Sequence, residues 1–428
     1  MSAEVNGGAS GNNAGSSGAG GPAFTGHRRG SAGYRRMIIA LFAAGVATFA
    51  QLYSFQGVLP QISRAHGVPE SSAALTVSFA TLGLAVAVLP WSVVADRRGR
   101  RTTMRVALVA AVALGLVVPW SPSFEVLLGL RFLEGLALGG IPAVALTYLA
   151  DEVERSVASV AAGTYVAGTT LGGLFGRMLA GPLGEVFGWR LGSFSVALSA
   201  AVAGLVFFVT APEPRGFEPV MRKSDRDIRL ITKLGWGLKN PHLLALFVQS
   251  ALLMGGFVAV YNYMGFRLEA PPFLVPTSLA SLVFLTYLAG TYTSAWAGRL
   301  ASRRGRFTVL VGSACLMFAG LLITLVPWIP GIIVGLAVFT GGFFGAHAVA
   351  SSWVPAIATR GRAQASSLYN LAYYTGSSLF GWAVGFAFQG AKWGGVVMFV
   401  GVLISIAVVT AVTVLPRDAS SGAAAAAD

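Results

Sequence analysis

Long apolar runs recur along the whole chain, and they constrain its fold more than any other feature. Twelve runs between residues 37 and 415 are each long enough for a membrane-spanning helix, which needs roughly 20 mainly apolar residues. Only 11% of the 428 residues are charged. A soluble domain has about 25%, so this chain has too little charge to cover a water-facing surface. We therefore predict an all-α membrane protein with twelve transmembrane helices.

The runs form two sets of six, separated by a polar stretch. The first six predicted spans are 37–58, 73–94, 103–120, 124–149, 157–180 and 191–211. The second six are 243–266, 279–300, 307–328, 331–353, 363–388 and 395–415. The predicted parts are a disordered cytoplasmic tail (1–36), two six-helix bundles (37–211 and 243–415), a cytoplasmic linker (212–242) and a second cytoplasmic tail (416–428).

Lys and Arg residues in the connections predict the orientation. If the N-terminus is cytoplasmic, the inside segments hold 24 of the 30 basic residues and the outside loops hold 4. Cytoplasmic loops carry the excess of Lys and Arg in membrane proteins. We therefore expect a multi-pass protein of the plasma membrane (the inner membrane of a bacterial cell) with both termini in the cytoplasm.

Composition also excludes several kinds of function. The net charge is +14, but the basic residues lie in short clusters between apolar runs, so we expect no nucleic-acid partner. A single cysteine, Cys315, allows neither an internal disulfide nor a thiolate metal cluster. With only 4 His and no phosphate-binding loop, we predict no metal, no cofactor and no enzymatic activity.

The two halves of the sequence repeat each other. SVVADRRGRR, which begins at Ser92, matches GRLASRRGRF, which begins at Gly298, at an offset of 206. YVAGTTLGGLFG in span 5 matches YYTGSSLFGWAVG in span 11 at an offset of 208. Both halves begin on the same side of the membrane, so we predict parallel repeats related by an axis along the membrane normal.

The loop after span 2 resembles the major facilitator signature Gly-x-x-x-Asp-Arg-x-Gly-Arg-Arg, with Ser92 in place of the first Gly. The residues that match in the two copies of this loop are Asp96, Arg97, Gly99, Arg100, Arg101, Gly298, Arg303, Gly305 and Arg306. The resemblance implies a gating loop. The Asp96 carboxylate could act as a latch by pairing with Arg100 or with a neighbouring helix N-terminus, and the resemblance implies a contact with the start of span 11, near Ala363. An alternative is that the arginines only set the topology.

Spans 4, 5 and 11 extend the resemblance. Arg131-Phe-Leu-Glu134 is similar to the family's Arg-x-x-Gln motif, and span 5 is similar to the antiporter motif, with Arg177 in place of a proline. NLAYYTGSSLFGW in span 11 looks most like the arabinose-efflux-permease-like branch. The motif glycines of span 5 predict a ridge for close helix packing, formed by Gly163, Gly168, Gly172 and Gly176.

Glu134 is the only carboxylate deep within a predicted span. An isolated charge in hydrocarbon costs roughly 3 kcal/mol or more, so Glu134 should face a cavity or a partner. Arg131 lies one helical turn away, and the pair could simply be neutral. Alternatively, Glu134 takes up and releases a proton as Arg131 changes partners. Arg177 could bind an anionic substrate, counter Glu134 across the cavity, or reach the outer interface.

Other polar residues in the spans are weaker candidates for lining a central cavity. They are Tyr53, Gln56, Gln249, Asn262, Tyr287, His347, Asn370 and Tyr373. The resemblance implies a cavity lined mainly by spans 1, 4, 7 and 10. Any of these residues alone could instead serve as an interhelical contact.

Three hypotheses for function remain open at this point. The leading one is a secondary active transporter that moves a small organic solute by alternating access, through proton-coupled efflux by antiport. The second is uptake by a proton symporter or a uniporter. The third is a membrane receptor or scaffold that does not transport. The partners expected are a small-molecule substrate, protons and the lipid bilayer, with the protein acting as a monomer.

Overall fold

Helices account for nearly all of the described residues in the computed structural model, which describes residues 26–215 and 230–417. The helices of the N-terminal half are Ala32–Tyr53, Leu59–His66, Glu70–Arg98, Arg100–Val117, Phe124–Leu138, Ala145–Glu152, Ala158–Phe187 and Trp189–Thr210. Two 3₁₀ turns, Ser54–Gly57 and Val118–Trp120, extend the first and fourth of these.

The C-terminal half has the same plan, preceded by a linker helix at Leu230–Lys239. Its helices are Pro241–Glu269, Thr277–Ala280, Tyr287–Arg304, Arg306–Ile323, Ile329–Ile357 and Arg362–Val414, with a 3₁₀ segment at Ser281–Thr286. The last helix has non-helical backbone angles at Ala391 and Lys392, where span 11 ends and span 12 begins.

Eight helices in the described residues are individually long and apolar enough to cross a membrane. One of them, Arg362–Val414, contains two spans. Span 4 breaks after Leu138, and span 8 begins with short helical pieces, so neither is one long helix. Glycines and Arg177 lower the hydropathy of span 5. The twelve spans predicted from the sequence are therefore present. Spans 4, 5 and 8 are not among the eight long apolar helices, and span 12 is counted together with span 11.

The spans pack as two six-helix halves that meet through spans 2 and 11 and through spans 5 and 8. Span 6 lies on the periphery. Its side chains at i, i+3 and i+7, which are Val202, Leu205 and Val209, are 60%, 64% and 69% exposed. An exposed apolar stripe of this kind suits contact with lipid. We call the end of the molecule that carries loops 1–2, 5–6, 7–8 and 11–12 the outer end, following the charge distribution, and the opposite end the inner end.

The loop signature has the same backbone conformation in both halves. Gly99 has φ 91° and ψ 149°, and Gly305, its counterpart at an offset of 206, has φ 86° and ψ 152°. Only glycine adopts this region without strain. Each glycine ends one helix and starts the next, which explains why the loops between spans 2 and 3 and between spans 8 and 9 are so short.

Residues 26–36, which the sequence assigned to a disordered tail, have a defined backbone conformation. Span 1 begins at Ala32, because the Ser31 hydroxyl caps it by accepting the Tyr34 N–H at 3.2 Å. Ahead of the cap, the His27 N–H donates to the Glu152 carbonyl at 2.7 Å, so this segment docks on the loop between spans 4 and 5. The prediction of disorder is wrong for residues 26–36. The rest of that tail (1–25), the middle of the linker (216–229) and the C-terminal residues 418–428 lie outside the described residues.

Candidate functional site

Polar contacts join the two halves in the outer part of the bundle. They pair residues of spans 1, 2 and 5 with residues of spans 7, 8 and 11, over distances of 2.6–3.3 Å. The pairs are Arg64–Glu269, Gln56–Asn262, Ser71–Gln389, Ser78–Ser378, Arg177–Tyr287, and Glu185 with the Ser278 N–H. We call this set the outer gate. All of these residues lie in the outer halves of the spans or in the segments just beyond their outer ends, so the outer end of the molecule is closed.

Arg131 and Glu134 form a buried ion pair inside the N-terminal half. Arg131 Nη1 lies 2.6 Å from Glu134 Oε2, and the two side chains are 0% and 2% exposed. Their spacing of three residues places them on one helix face, as the sequence predicted. The structure shows this contact as an ion pair, and the role of Glu134 in proton exchange stays a prediction.

Backbone carbonyls supply the remaining partners of Arg131. Its Nε donates to Thr76 O at 2.9 Å in span 2, and its Nη2 donates to Leu52 O at 2.8 Å in span 1. The Phe55 ring covers the guanidinium at 4.3 Å. Leu52 lies where span 1 changes from α-helix to a 3₁₀ turn, and carbonyls at helix ends are available to other donors. Arg131 therefore connects Glu134 to the break in span 1.

Gln51 lies beside this ion pair. A Cβ added at Gly115 would be in contact with Oε1 of Gln51 and would lie 3.2 Å from Oε1 of Glu134, so the two oxygens share one small space. Gln51 Oε1 is buried and has no hydrogen-bond partner among the described residues. A glycine at position 115 leaves room for both side chains. In the part of the chain that the structure describes, Gln51 Oε1 is therefore a free hydrogen-bond acceptor next to the ion pair of Arg131 and Glu134.

Arg177 is buried at the contact between the halves, with 2% of its surface exposed. Its Nε donates to Gln56 Oε1 at 2.7 Å and its Nη1 to Gly173 O at 2.6 Å, while its Nη2 lies 3.3 Å from the Tyr287 hydroxyl. The rings of Tyr53, Phe284 and Tyr287 surround it at 4.4, 5.0 and 4.8 Å. Its described partners are all neutral. Arg177 therefore neither counters Glu134 nor reaches the outer interface, two of the roles considered above.

Gln56 and Asn262 link four spans through one hydrogen-bonded chain. Gln56 Nε2 donates to Asn262 Oδ1 at 2.6 Å, and Asn262 Nδ2 donates to Gly381 O in span 11 at 3.1 Å. Gln56 Oε1 accepts from Arg177 in span 5. Both amides are buried and satisfied, as buried polar groups must be. The chain ties the break in span 1 directly to the C-terminal half.

Three glycines of span 5 form the predicted ridge, and a fourth does not. A Cβ on Gly168, Gly172 or Gly176 would come within 3.0 Å of backbone atoms of Phe42, Val46 and Ala50 respectively. The partners are spaced by four residues, so the two helices pack backbone to backbone along one face. The prediction for Gly163 is wrong. Nothing lies within 4 Å of its Cβ position, because it precedes the segment that contacts span 1.

The inner loop pairs its charges within its own half. Asp96 forms an ion pair with Arg100, Arg100 Nε lies 3.2 Å from Asp151 Oδ2, and Arg101 lies 3.7 Å from Glu213. The Asp96 side chain is 50% exposed. The side chain of Ala363, which the resemblance implied as a neighbour, is outside the described residues. The role of Asp96 as a latch between the halves therefore stays a prediction.

The remaining residues of the two loop copies have simpler surroundings. Arg97 is exposed and Arg306 is half-buried. Nothing lies within 4 Å of the Cβ position of Gly298, so this glycine is not required for packing. Arg303 lines a pocket of about 250 Å³ at the inner end of span 8, with Trp296 and Arg299. No described contact joins these residues to the outer gate.

Gln249 and His347, two of the weaker candidates for lining the cavity, contact helices of their own half. Gln249 donates to the Ala407 carbonyl and so joins spans 7 and 12, away from the contact between halves. His347 Nδ1 is hydrogen-bonded to the Tyr369 hydroxyl at 2.9 Å; its ring stacks on Phe343 at 5.9 Å and contacts the tilted ring of Tyr373 at 4.9 Å. The Gln249 prediction is wrong as a cavity position, and His347 is a satisfied packing residue. Asn370 is exposed in the inner half of span 11.

Sequence reasoning missed several residues of this site. They include Phe55 and Phe284, which cover the two buried arginines, and the gate residues Arg64, Ser71, Ser78, Glu185, Glu269, Ser278, Ser378 and Gln389. An apolar ring in an apolar span carries no signal that it faces a cation. The charged gate residues lie at span ends, where charges are expected without any gating role.

The comparisons with known proteins agree with one family. The Major Facilitator Superfamily model matches residues 41–380. The MFS-type transporter YybF of Bacillus subtilis is 36% identical over 384 residues, which cover 89% of this chain and 93% of that protein. The inner membrane transport protein YnfM of Escherichia coli is 36% identical over 380 residues, 89% of this chain and 90% of that protein.

Solved structures show the same fold at much lower identity. A D-xylose-proton symporter superposes with a TM-score of 0.73 at 14% identity, over 89% of this chain and 98% of that one. A bacterial homologue of the human lysosomal transporter Spinster, in an inward-facing conformation, superposes with a TM-score of 0.70 at 17% identity, over 90% of this chain and 96% of that one. With two six-helix halves, a family model over most of its length and relatives that match over about nine-tenths of both chains, this chain belongs to the major facilitator superfamily and is a secondary transporter.

Proposed function

We propose that this transporter exports a small organic solute in exchange for protons, with Glu134 as the residue that carries the proton. The observation that supports this most is the ion pair of Arg131 and Glu134 beside the unpaired Gln51 Oε1. A neutral carboxylic acid has one O–H to donate, and Gln51 supplies an acceptor for it. The site is thus suited to both protonation states of Glu134.

Arg131 keeps partners whether or not Glu134 is charged. Its donors bind carbonyls of Thr76 and Leu52, which do not titrate. Protonation of Glu134 therefore removes one ion pair but leaves the guanidinium hydrogen-bonded. A buried charge that loses its only partner would cost several kcal/mol, roughly 3–5, and these carbonyls reduce that cost.

The break in span 1 is the proposed link between the proton site and the outer gate. Arg131 holds the carbonyl of Leu52, and the next residues along span 1, Tyr53 and Gln56, contact Arg177 and Asn262. When the attraction between Arg131 and Glu134 changes, the hydrogen bond from Arg131 to the Leu52 carbonyl changes in strength as well. We propose that this shifts the broken segment and loosens the gate, which couples proton release to alternating access.

The glycine ridge allows spans 1 and 5 to move as one unit in the proposed cycle. Span 5 contacts the backbone of span 1 through Gly168, Gly172 and Gly176, and it also carries Arg177 of the outer gate. Spans 1 and 5 can therefore move together relative to the C-terminal half. In this proposal the closed outer end corresponds to an inward-facing state of a single chain in the cytoplasmic membrane, with both termini inside.

A direct test of the proton site uses the distance across the outer gate. Spin labels at positions 65 and 270, introduced as cysteines in a Cys315→Ser background, report whether that gate is open; all three side chains are exposed. We expect the distance distribution to change with pH in the wild-type background and to lose this dependence in Glu134→Gln. Glu125→Gln, an exposed carboxylate at the start of the same span, should keep it.

A pH response in Glu134→Gln equal to that of Glu125→Gln would refute the role of Glu134. The direction of coupling needs transport in proteoliposomes. With an acidic lumen, antiport drives the solute inward against the departing protons, whereas symport drives it outward with them. A relative named for chloramphenicol resistance, 28% identical over 292 residues, favours export, and the D-xylose-proton symporter of the same fold makes symport the alternative.

A further inference from the structure

Arg177 carries a positive charge that no described carboxylate balances. Arg131 and Glu134 cancel each other within the N-terminal half. In residues 230–417 the only acidic residue is Glu269, which lies at the outer end and pairs with Arg64 at 2.8 Å. The hydrogen-bond acceptors of Arg177 are an amide, a backbone carbonyl and a phenol. The middle of the molecule therefore has one net positive charge at the contact between its halves.

The partners of Arg177 come from both halves. Gln56, Gly173 and Tyr53 belong to the N-terminal half, whereas Phe284 and Tyr287 belong to span 8 of the C-terminal half. When the outer ends separate, Arg177 must leave the rings of span 8 while it stays with span 5. Its guanidinium then loses two of three covering rings and one hydrogen bond, and it faces the opened space.

An anion is the natural replacement for these lost partners. A guanidinium binds a carboxylate through two parallel N–H donors, and this charge-assisted pair is about twice as strong as neutral hydrogen bonds. The rings left around the opened space also define its chemistry, because Tyr53, Phe284 and Tyr287 offer faces and edges to a flat aromatic group. Farther from Arg177 the surroundings stay aromatic, since the Tyr287 ring contacts Phe257 and Tyr261 at 5.1 and 4.7 Å.

We propose that the solute of this transporter is a small aromatic carboxylate, bound through its carboxylate to Arg177 and through its ring to Tyr53 and Tyr287. This inference rests on the proposed function for its transport cycle, but the binding site is independent of proton coupling. Closure of the outer gate and binding of the anion compete for the same guanidinium. The carboxylate therefore binds most tightly when the outer gate is open.

The test compares probes that share a ring and differ in charge. Purified full-length protein is heated in detergent at neutral pH and equal ionic strength, with a set of monocyclic aryl carboxylates (benzoate, 4-hydroxybenzoate and phenylacetate) and with the matching amides and amines. We expect at least one carboxylate to raise the unfolding temperature in a saturable way, while its amide and amine do not. The cyclohexane analogue of that carboxylate should bind at least tenfold more weakly.

Substitutions at Arg177 test whether this residue is responsible for the preference for the carboxylate. Arg177→Gln should abolish the preference for the carboxylate, and Arg177→Lys, which keeps the charge but not the two-pronged geometry, should weaken it. Arg267→Gln is the matched control, because Arg267 lies at the outer end and donates to backbone carbonyls of Thr324 and Val326. If Arg177→Gln does not fold, the charge series on the wild-type protein still decides the question.

Several outcomes would overturn the inference. They are stabilisation by an amide or amine rather than its carboxylate, no response to any carboxylate, or a carboxylate preference that survives Arg177→Gln. The binding test uses one pH and no gradient, so it separates the two proposals. Loss of carboxylate binding with a pH-responsive outer gate rejects the anion site alone, and the reverse result rejects the proton site alone.

Discussion

Replacing Gly172 by alanine should separate spans 1 and 5 and destabilise the protein. A Cβ at this position would lie 2.6 Å from both the Cα and the carbonyl oxygen of Val46, atoms that cannot rotate away. Ordinary carbon contacts are about 3.5–4.0 Å, so the two helices must move apart by roughly 1 Å. Such overpacking typically costs about 1–3 kcal/mol.

Gly163→Ala is the matched control for this prediction. Its Cβ would meet nothing within 4 Å, and it lies in the same helix. Both substitutions remove a glycine from a helix interior and so gain a similar amount in helix propensity, about 1 kcal/mol. That gain cancels in the comparison. The difference in unfolding free energy between the two variants should therefore be about 1–3 kcal/mol, the overpacking term alone.

Titration with SDS in mixed micelles, followed by circular dichroism, measures these free energies. We expect Gly172→Ala to unfold at a lower SDS fraction than Gly163→Ala, and Gly163→Ala to unfold at a fraction equal to or higher than that of the wild type. Equal stability of the two variants, or a less stable Gly163→Ala, would show that spans 1 and 5 do not pack backbone to backbone.

Two further predictions concern the inner end of the molecule. Gly305→Ala should lower the unfolding free energy by about 1–3 kcal/mol in the same SDS titration, because φ 86° with ψ 152° is strained for any other residue. Gly298→Ala, with open space at its Cβ inside a helix, should be neutral or stabilising by up to about 1 kcal/mol, and equal effects of the two substitutions would refute the strain. Burial and the nearby Arg215 lower the pKa of His27 below 6.5, so the docked segment binds fewer protons than the free one. Docking is then fully stable above pH 6.5 and weakens as the pH falls. A spin label at Arg28 should become more mobile on acidification, and this response should vanish in His27→Asn; a response that persists in the variant contradicts the prediction.

The lengths of the apolar runs and the spacing of the motifs were sufficient to predict the outline of this fold. Apolar runs predicted twelve spans because lipid requires each to be long and continuous in composition. The offset of 206 between Gly99 and Gly305 predicted a repeat, and the two glycines share one backbone conformation. The pairing of Arg131 with Glu134 followed from their spacing of three residues on one helix.

Contacts between distant spans could not be predicted in the same way. Arg177 has neutral partners from spans 1 and 8, and nothing in its own span indicates which rings cover it. The role of Leu52 depends on a backbone break, which places a carbonyl within reach of Arg131. Gly163 matches the spacing of a motif but precedes the helix contact. Such features depend on how helices cross, which the lengths of apolar runs and the spacing of motifs do not determine.

The most direct test of alternating access measures both ends of the molecule at once. Spin labels at positions 65 and 270 report the outer end, and labels at positions 98 and 360 report the inner end; all four side chains are exposed. Double electron–electron resonance in lipid nanodiscs would compare pH 5 with pH 8, with and without an aryl carboxylate. The account predicts reciprocal shifts, in which the outer distance lengthens as the inner distance shortens. Distances that stay fixed at both ends, or that lengthen together, would contradict it.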